Sequence, residues 1–387
     1  MRAEQILLRS FERDLEAVHL ARVRLMFAAV HALLRSARLS LTSLGRAIAG
    51  STSPKHGIKR VDRLLGNRHL HVETPVFYRA LAGRLVARGS RPVIIVDWTA
   101  VTPKLWALVA AVSYQGRALI VYAETHGIRS YLKPSVNLAF CNRLRSVLPP
   151  CTPVVLTDAG FRGPWMNLMQ SMGWDFVVRM RGRSRVRMDK SEAWRHLDDL
   201  WAQTSSRPKD FGSFEVGRQI RFRTRVVGIR KKAKYQLPPG RPEHGAERQK
   251  RSAREPWILG TSLNVSASKV VALYARRMQI EETFRDAKSH RFGICLTHAR
   301  TKYESRADLL LLLASFAQAV YVLLGIAAEA HRLQKRYQAN TTTKRRVLSL
   351  PTLGRLVFAE HGESLLQGAL AANAWLSLRT AVSTVIR

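Results

Sequence analysis

Apolar residues recur at helical spacing from Leu15 to Leu34, and residues 1 to about 75 read as helical throughout. Ser40–Ala49 (SLTSLGRAIA) is followed by a Gly-Ser-Thr-Ser-Pro break and a second helical run, His56–Leu65 (HGIKRVDRLL). Two short helices around a tight break, the second carrying Lys59, Arg60 and Arg63, predict a helix-turn-helix-like DNA reader. An ordinary helical bundle is the plainer alternative.

From Arg91 the period shortens to that of strands. Val93–Val96 predicts a buried strand ending in Asp97. Leu105–Val112 and Ala118–Tyr122 predict two more, joined by a hairpin turn at Gln115-Gly116. Asn137–Val147 reads as a helix, Val154–Leu156 as a strand ending at Thr157-Asp158, Gly163–Met172 as a helix and Phe176–Val178 as a strand. Antiparallel strands followed by alternating helix and strand point to a mixed α/β sheet.

Residues 181–254 hold 21 Lys and Arg against 8 Asp and Glu. Within them Ile220, Phe222, Thr224 and Val226 alternate with Arg221, Arg223 and Arg225, which as a strand puts every arginine on one face. Lys231–Arg254 reads as a basic loop rich in Pro and Gly, able to follow a phosphate backbone. A basic β-appendage exposed to solvent is the alternative. Trp257–Leu263 returns to strand pattern, and one helix is predicted over Ser268–Lys288. Leu309–Ala328 is apolar enough to span a bilayer, but its Ser315, Gln318 and Tyr321 favour a buried core helix. The tail from 331 reads as helical with a basic entry.

Charge narrows the class of partner. The chain carries 64 Lys and Arg against 27 Asp and Glu, a net +37. Such a surface repels itself and is tolerated most easily beside a polyanion, nucleic acid first and an anionic membrane second. An arginine-rich composition inherited from a high-GC genome is the bland reading, set against the local concentration of the excess. The three cysteines, Cys141, Cys151 and Cys295, have no zinc-ligand spacing and predict no disulfide framework, which fits a reducing cytoplasm. The charged N-terminus does not read as a signal peptide.

The sharpest chemical signal is YARRMQIEETFRDAK, Tyr274–Lys288. On one continuous helix, at about 100° per residue, Arg277, Glu281, Arg285 and Lys288 fall within roughly 60° of Tyr274. That stripe offers an aromatic hydroxyl, three cations and one carboxylate, a composition suited to a metal-bound phosphodiester. Glu282 falls off it. Asp97 and Asp158 end predicted strands, where an open α/β sheet places functional groups. Two-metal phosphodiester chemistry needs such carboxylates converging from separate elements.

The spacing Tyr-x2-Arg-x3-Glu-x6-Lys, met by Tyr274, Arg277, Glu281 and Lys288, resembles the YREK motif of the hairpin-forming bacterial insertion-sequence transposases, the cut-and-paste DDE enzymes. Asp97 in VIIVDWT and Asp158 in VVLTDAGF resemble that family's first two catalytic aspartates, and the likeness covers most of residues 40–330. It implies an RNase H-like mixed-sheet core (76–180 and 255–330) interrupted by a basic β-rich insertion (181–254). A helical DNA-binding domain (1–75) and a helical tail (331–387) complete the layout. Asp97, Asp158 and Glu281 are then the catalytic and metal-binding residues for two Mg2+ ions, with Mn2+ able to substitute. Tyr274, Arg277, Arg285, Lys288 and Arg179 grip DNA phosphates, and Trp257 stacks a flipped base or, equally, is a core tryptophan at a strand start. The resemblance further implies binding to the element's terminal inverted repeats and to target DNA, a homodimer in the synaptic complex and a cytoplasmic, nucleoid-associated location. Many relatives carry Arg after the second aspartate, where this chain has Ala159. A transposase-derived DNA-binding regulator without catalysis, and an RNase H-like nuclease that cuts without joining, remain as alternatives.

Overall fold

A computed structural model describes residues 3–48, 50–161, 163–218, 221–230, 255–289, 293–296, 300–339, 341–342 and 344–383. The chain divides into two compact units, Met1–Cys151 with Met278–Arg387, and Thr152–Arg277.

The first unit opens with helices α1 (Ala3–Phe11), α2 (Leu20–Ser36), α3 (Leu41–Ile48), α4 (Pro54–Leu65) and α5 (Arg68–Leu85). Strands β1 (Val93–Ala100), β2 (Leu105–Tyr114) and β3 (Arg117–Gly127) and helix α6 (Pro134–Val147) follow. The second unit contains β4 (Val154–Thr157), α7 (Gly163–Ser171), β5 (Asp175–Arg179), β6 (Arg185–Arg187), β7 (Arg195–His196), β8 (Lys209–Val216), β9 (Phe222–Ile229), β10 (Trp257–Thr261) and α8 (Ala267–Ala275). The chain then returns to the first unit with α9 (Met278–Lys288), α10 (Glu304–Ala330), α11 (Gln334–Tyr337), α12 (Leu350–His361), α13 (Leu366–Ala369) and α14 (Ala372–Ser383).

In the first unit β1, β2 and β3 form an antiparallel sheet with β2 central. Gln115 and Gly116 both hold positive φ (41° and 83°), as a two-residue hairpin turn requires. The free edge of β3 is covered by helix side chains that complete its ladder. Thr283 Oγ1 accepts from Ala118 N and donates to Ala118 O, both at 2.9 Å. On α10, Asp308 accepts from Thr125 N and Glu304 from Gly127 N, each at 2.6 Å, and Gln318 donates to Ala118 O. An edge so occupied is closed to a further strand.

Helix α10 is 27 residues long, and its apolar stretch is mostly buried inside the protein. Phe316 on it packs edge-on against Phe11 and Phe27, and Trp375 of α14 closes on Phe11 from another side. The N-terminal helices therefore share a core with the helices at the other end of the chain. Helices α3 and α4 do form the expected pair of short helices. They cross at Gly45, where a Cβ would lie 2.5 Å from the Ile58 Cα, so a side chain there would force them apart.

In the second unit the strands run in the order β4-β5-β10-β9-β8-β6-β7. β4 and β5 are parallel, linked through α7, and β10 is antiparallel to both β5 and β9. Strands β6 to β9, from the segment expected to be an insertion, thus extend this sheet through β9. The expected basic loop Lys231–Arg254 lies outside the described residues.

Candidate nucleic-acid and catalytic site

Asp97 lies inside β1, opposite Val109, with three further strand residues after it. The expectation of a strand end is corrected, because the apolar alternation of Trp98-Thr99-Ala100 carries the pairing onward. Side chains two apart on a strand share a face, so Asp97 and Thr99 point the same way. The half-buried Asp97 carboxylate accepts a hydrogen bond from the Trp98 backbone at 2.8 Å.

The single helix expected over Ser268–Lys288 is two helices. α8 ends at Ala275, Arg276 and Arg277 form a turn, and α9 starts at Met278. The continuous stripe is therefore broken, and Tyr274 is buried at 3 % exposure instead of lying on a surface. Glu281, Arg285 and Lys288 remain on one helix, within roughly 60° of one another. Glu281 and Arg285 are exposed, and Arg285 is paired with Glu282.

Three residues fix α9. Besides Thr283 on β3, Gln279 accepts from Ser113 at 2.9 Å and Asp286 pairs with Arg117 at 2.6 Å. Glu281 lies about 160° around the helix from Thr283, on the side away from the hairpin edge. Lys288 Nζ reaches Thr99 Oγ1 at 2.7 Å, and its burial lowers its pKa. This bond ties the helix face bearing Glu281 and Lys288 to the strand face bearing Asp97 and Thr99.

Asp158 is the first residue after β4, as expected, and accepts from Gly160 N at 2.8 Å in a turn leading towards α7. The second unit also collects Tyr274, Arg277, Arg179 and Trp257. Burial pushes the Tyr274 phenol up to about 12, against the lowering pull of Arg277 and Arg179, while Asp158 adds to the rise. These four groups thus share one electrostatic neighbourhood. Arg179 pairs with Glu255 at 3.4 Å, and the Trp257 ring stands edge-on to Tyr274 with centroids 4.9 Å apart.

The alternating arginines have different duties. Arg221 and Arg223 are exposed. Arg225 is engaged internally, with Asp210 at 2.6 Å and the carbonyls of Leu263 and Val265 at 3.0 and 2.5 Å. Lys59, Arg60 and Arg63 are exposed on α4.

Sequence reasoning missed a cleft of about 420 Å³ in the second unit. Phe161, Met166 and Phe222 line it apolarly, and Arg181, Arg183 and Arg185 join Arg179 around it. Arg181 donates to the Ala159 carbonyl at 3.0 Å. The run RGRSR was the available signal, but the cleft's apolar lining comes from residues distant in sequence.

The three acids are divided between the units, Asp97 and Glu281 in the first and Asp158 in the second. Carboxylate oxygens are the hard donors that Mg2+ takes, so the donor chemistry fits. Among the described residues no group of three or more His, Cys, Asp or Glu side chains that could hold a metal ion is found.

Residues 88–317 match the family model described as "Transposase DDE domain". That is more than half of the chain, which therefore belongs to the DDE transposase family. No curated protein matches it. Among solved structures, a piggyBac transposase synaptic complex with hairpin DNA, determined by cryo-EM, aligns over 96 % of this chain and 79 % of that one, at 10 % identity and a TM-score of 0.41. A likeness at that level carries nothing further for this chain.

Proposed function

We propose that the chain is a cut-and-paste transposase that cleaves DNA at the ends of its element, closes a hairpin there and joins the freed end to target DNA. The observation that carries this reading is the Lys288–Thr99 bond, which puts the Glu281 face of α9 on the Asp97 side of β1. Asp97, Asp158 and Glu281 would hold the divalent cations, which when bound supply Lewis-acid stabilisation of the oxygens around phosphorus.

The remaining chemistry belongs to the DNA and to the chain's cations. Water attacks the terminal phosphodiester, and the bond from phosphorus to the 3′ oxygen breaks. The freed 3′-hydroxyl attacks a phosphodiester of the opposite strand, displaces the 3′ oxygen of the flanking DNA and closes the hairpin. A second water reopens it, and the same hydroxyl then displaces a 3′ oxygen in target DNA. Each step is an in-line exchange at phosphorus, so one site serves them in turn. Arg277, Arg285, Lys288 and Arg179 hold phosphates, while Tyr274 positions Arg277 from its buried place. Lys59, Arg60 and Arg63 on α4 dock the inverted repeat, and two copies pair the two ends.

Purified protein with Mg2+ and end DNA tests the reading. Asp97→Ala, Asp158→Ala and Glu281→Ala should each abolish nicking while end binding persists. Mg2+-dependent cleavage retained by Asp97→Ala refutes the assignment. Strand-transfer products on a plasmid distinguish a transposase from a nuclease that only cuts.

A further inference from the structure

At one end of the first unit's sheet, a cluster of aromatic rings takes no part in the site above. Trp106 lies opposite Ala100, so it shares a face of the sheet with Trp98, the face opposite Asp97. Tyr131, in the turn after β3, closes on both. Its ring centroid is 4.4 Å from Trp106 and 5.5 Å from Trp98, and His126 is 5.7 Å from Trp98.

The cluster is not sealed. Tyr131 is 40 % exposed and Ile128 beside it 53 %. Lys104, Arg129 and Lys133 stand exposed in the same turns, and none has an acidic partner among the described residues. The turn is also held in strain. Leu132, between Tyr131 and Lys133, has φ +58°, a conformation a branched side chain adopts only when its surroundings impose it.

The exposed Tyr131 ring and the partly exposed Trp106, among cations with no acidic partner in the described residues, suit one kind of ligand. Duplex DNA hides its base faces, whereas an unpaired strand offers both base faces and phosphates. A docking protein segment would need carboxylates to match these cations and would leave the aromatic faces without a specific use. Asp97 is three residues from Ala100, about 10 Å along the strand.

We propose that Tyr131, Trp106 and Ile128, with Lys104, Arg129 and Lys133, form a platform on which unpaired bases of a DNA strand stack. The platform reads no base edges, so it is tolerant of sequence. It rests on the transposase reading only for the source of the strand, the DNA opened around a cut.

The test uses the full chain and a fluorescein-labelled oligothymidylate about twelve nucleotides long, beside a duplex of the same length, both followed by anisotropy without Mg2+. Tyr131→Ala should weaken strand binding about tenfold, and Tyr131→Phe should restore it to within about twofold of the parent. The triple change Lys104→Ala, Arg129→Ala, Lys133→Ala should lower the slope of log K against log salt by about 2. Duplex binding should stay within about twofold in every variant, with melting temperatures showing that each is folded. Strand affinity unmoved by Tyr131→Ala, failure of Tyr131→Phe to restore it, or equal losses for strand and duplex would overturn the platform. Mg2+-dependent nicking by the parent separates the two claims. Nicking beside an insensitive strand affinity removes the platform alone, while a sensitive strand affinity without nicking supports the platform and removes the transposase reading.

Discussion

Asp308→Asn should make the protein relatively more stable as pH rises. Asp308 lies on α10 against the edge of β3, where it accepts the Thr125 amide at 2.6 Å. Burial pushes its carboxyl up to about 7, opposed by the Thr125 hydrogen bonds and by His126, and reinforced by nearby Glu124. A carboxyl whose folded pKa exceeds its unfolded value binds its proton more tightly when folded. The stability this brings is fully present below about pH 4 and is lost as pH rises through about 7. A rise from the ordinary carboxyl value to about 7 corresponds to a ceiling of about 4 kcal/mol, and about 2 kcal/mol is the better figure for a side chain that keeps some solvent contact. Asparagine keeps the acceptor for Thr125 and cannot ionise. Measured as melting temperature from pH 5 to pH 8, the variant should gain about 3–6 °C on the parent. Because the comparison is between two proteins, titrations common to both cancel. An offset that stays constant over that range would refute the reasoning.

Gly354 and Gly325 let α12 cross α10 at backbone contact, where a Cβ on Gly354 would lie 1.9 Å from the Tyr321 carbonyl. Gly354→Ala should cost about 1–3 kcal/mol in a urea titration, through overpacking. Arg225→Ala should lower stability, because it strips Asp210 and two carbonyls of their donor, whereas Arg223→Ala should lower DNA affinity in a filter-binding assay without moving the melting temperature. Lys288→Met should reduce the cleavage rate on end DNA more than it reduces DNA affinity, since the lost bond to Thr99 holds α9 in place. Glu124 shows the opposite pH response to Asp308. Burial pushes its carboxyl up, but hydrogen bonds from His126, Arg143 and Tyr122 outweigh this and hold it at about 2. Glu124→Gln should therefore be destabilising at neutral pH, by a margin that shrinks as pH falls from about 4.5 towards 2 in chemical denaturation.

Local pattern reached most of the elements, because the strands and helices of this chain obey their periods. The hairpin at Gln115-Gly116, the β4 end at Asp158 and the paired helices α3 and α4 were all readable in that way. The turn at Arg276-Arg277 was not. LYARRMQIEE contains only good or neutral helix formers, so no residue marks the break. It falls where the chain passes from one compact unit to the other, a tertiary circumstance that propensity does not record. The burial of Tyr274 was hidden for a related reason, since the angular count assumed that its helix and that of Glu281 were one. For Arg225, alternation puts it on the arginine face of β9 but says nothing of the Asp210, Leu263 and Val265 partners it meets there.

The two helices along β3 link the fold to the chemistry. A sheet whose outer strand β3 kept an open edge would invite pairing with another chain. Here Glu304, Asp308 and Gln318 of α10 and Thr283 of α9 occupy that edge, so the groups that protect the sheet also position a helix. With Thr283 bound to Ala118 and Asp286 to Arg117, the rotation of α9 is fixed, and Glu281 must face away from the edge. Lys288 then fixes the far end of the same helix on Thr99, two residues from Asp97. One acid is thus held by a strand and the other by a helix whose orientation the strand edge dictates. Precision of this kind needs no bound metal, because it comes from backbone groups that the sheet must satisfy in any case.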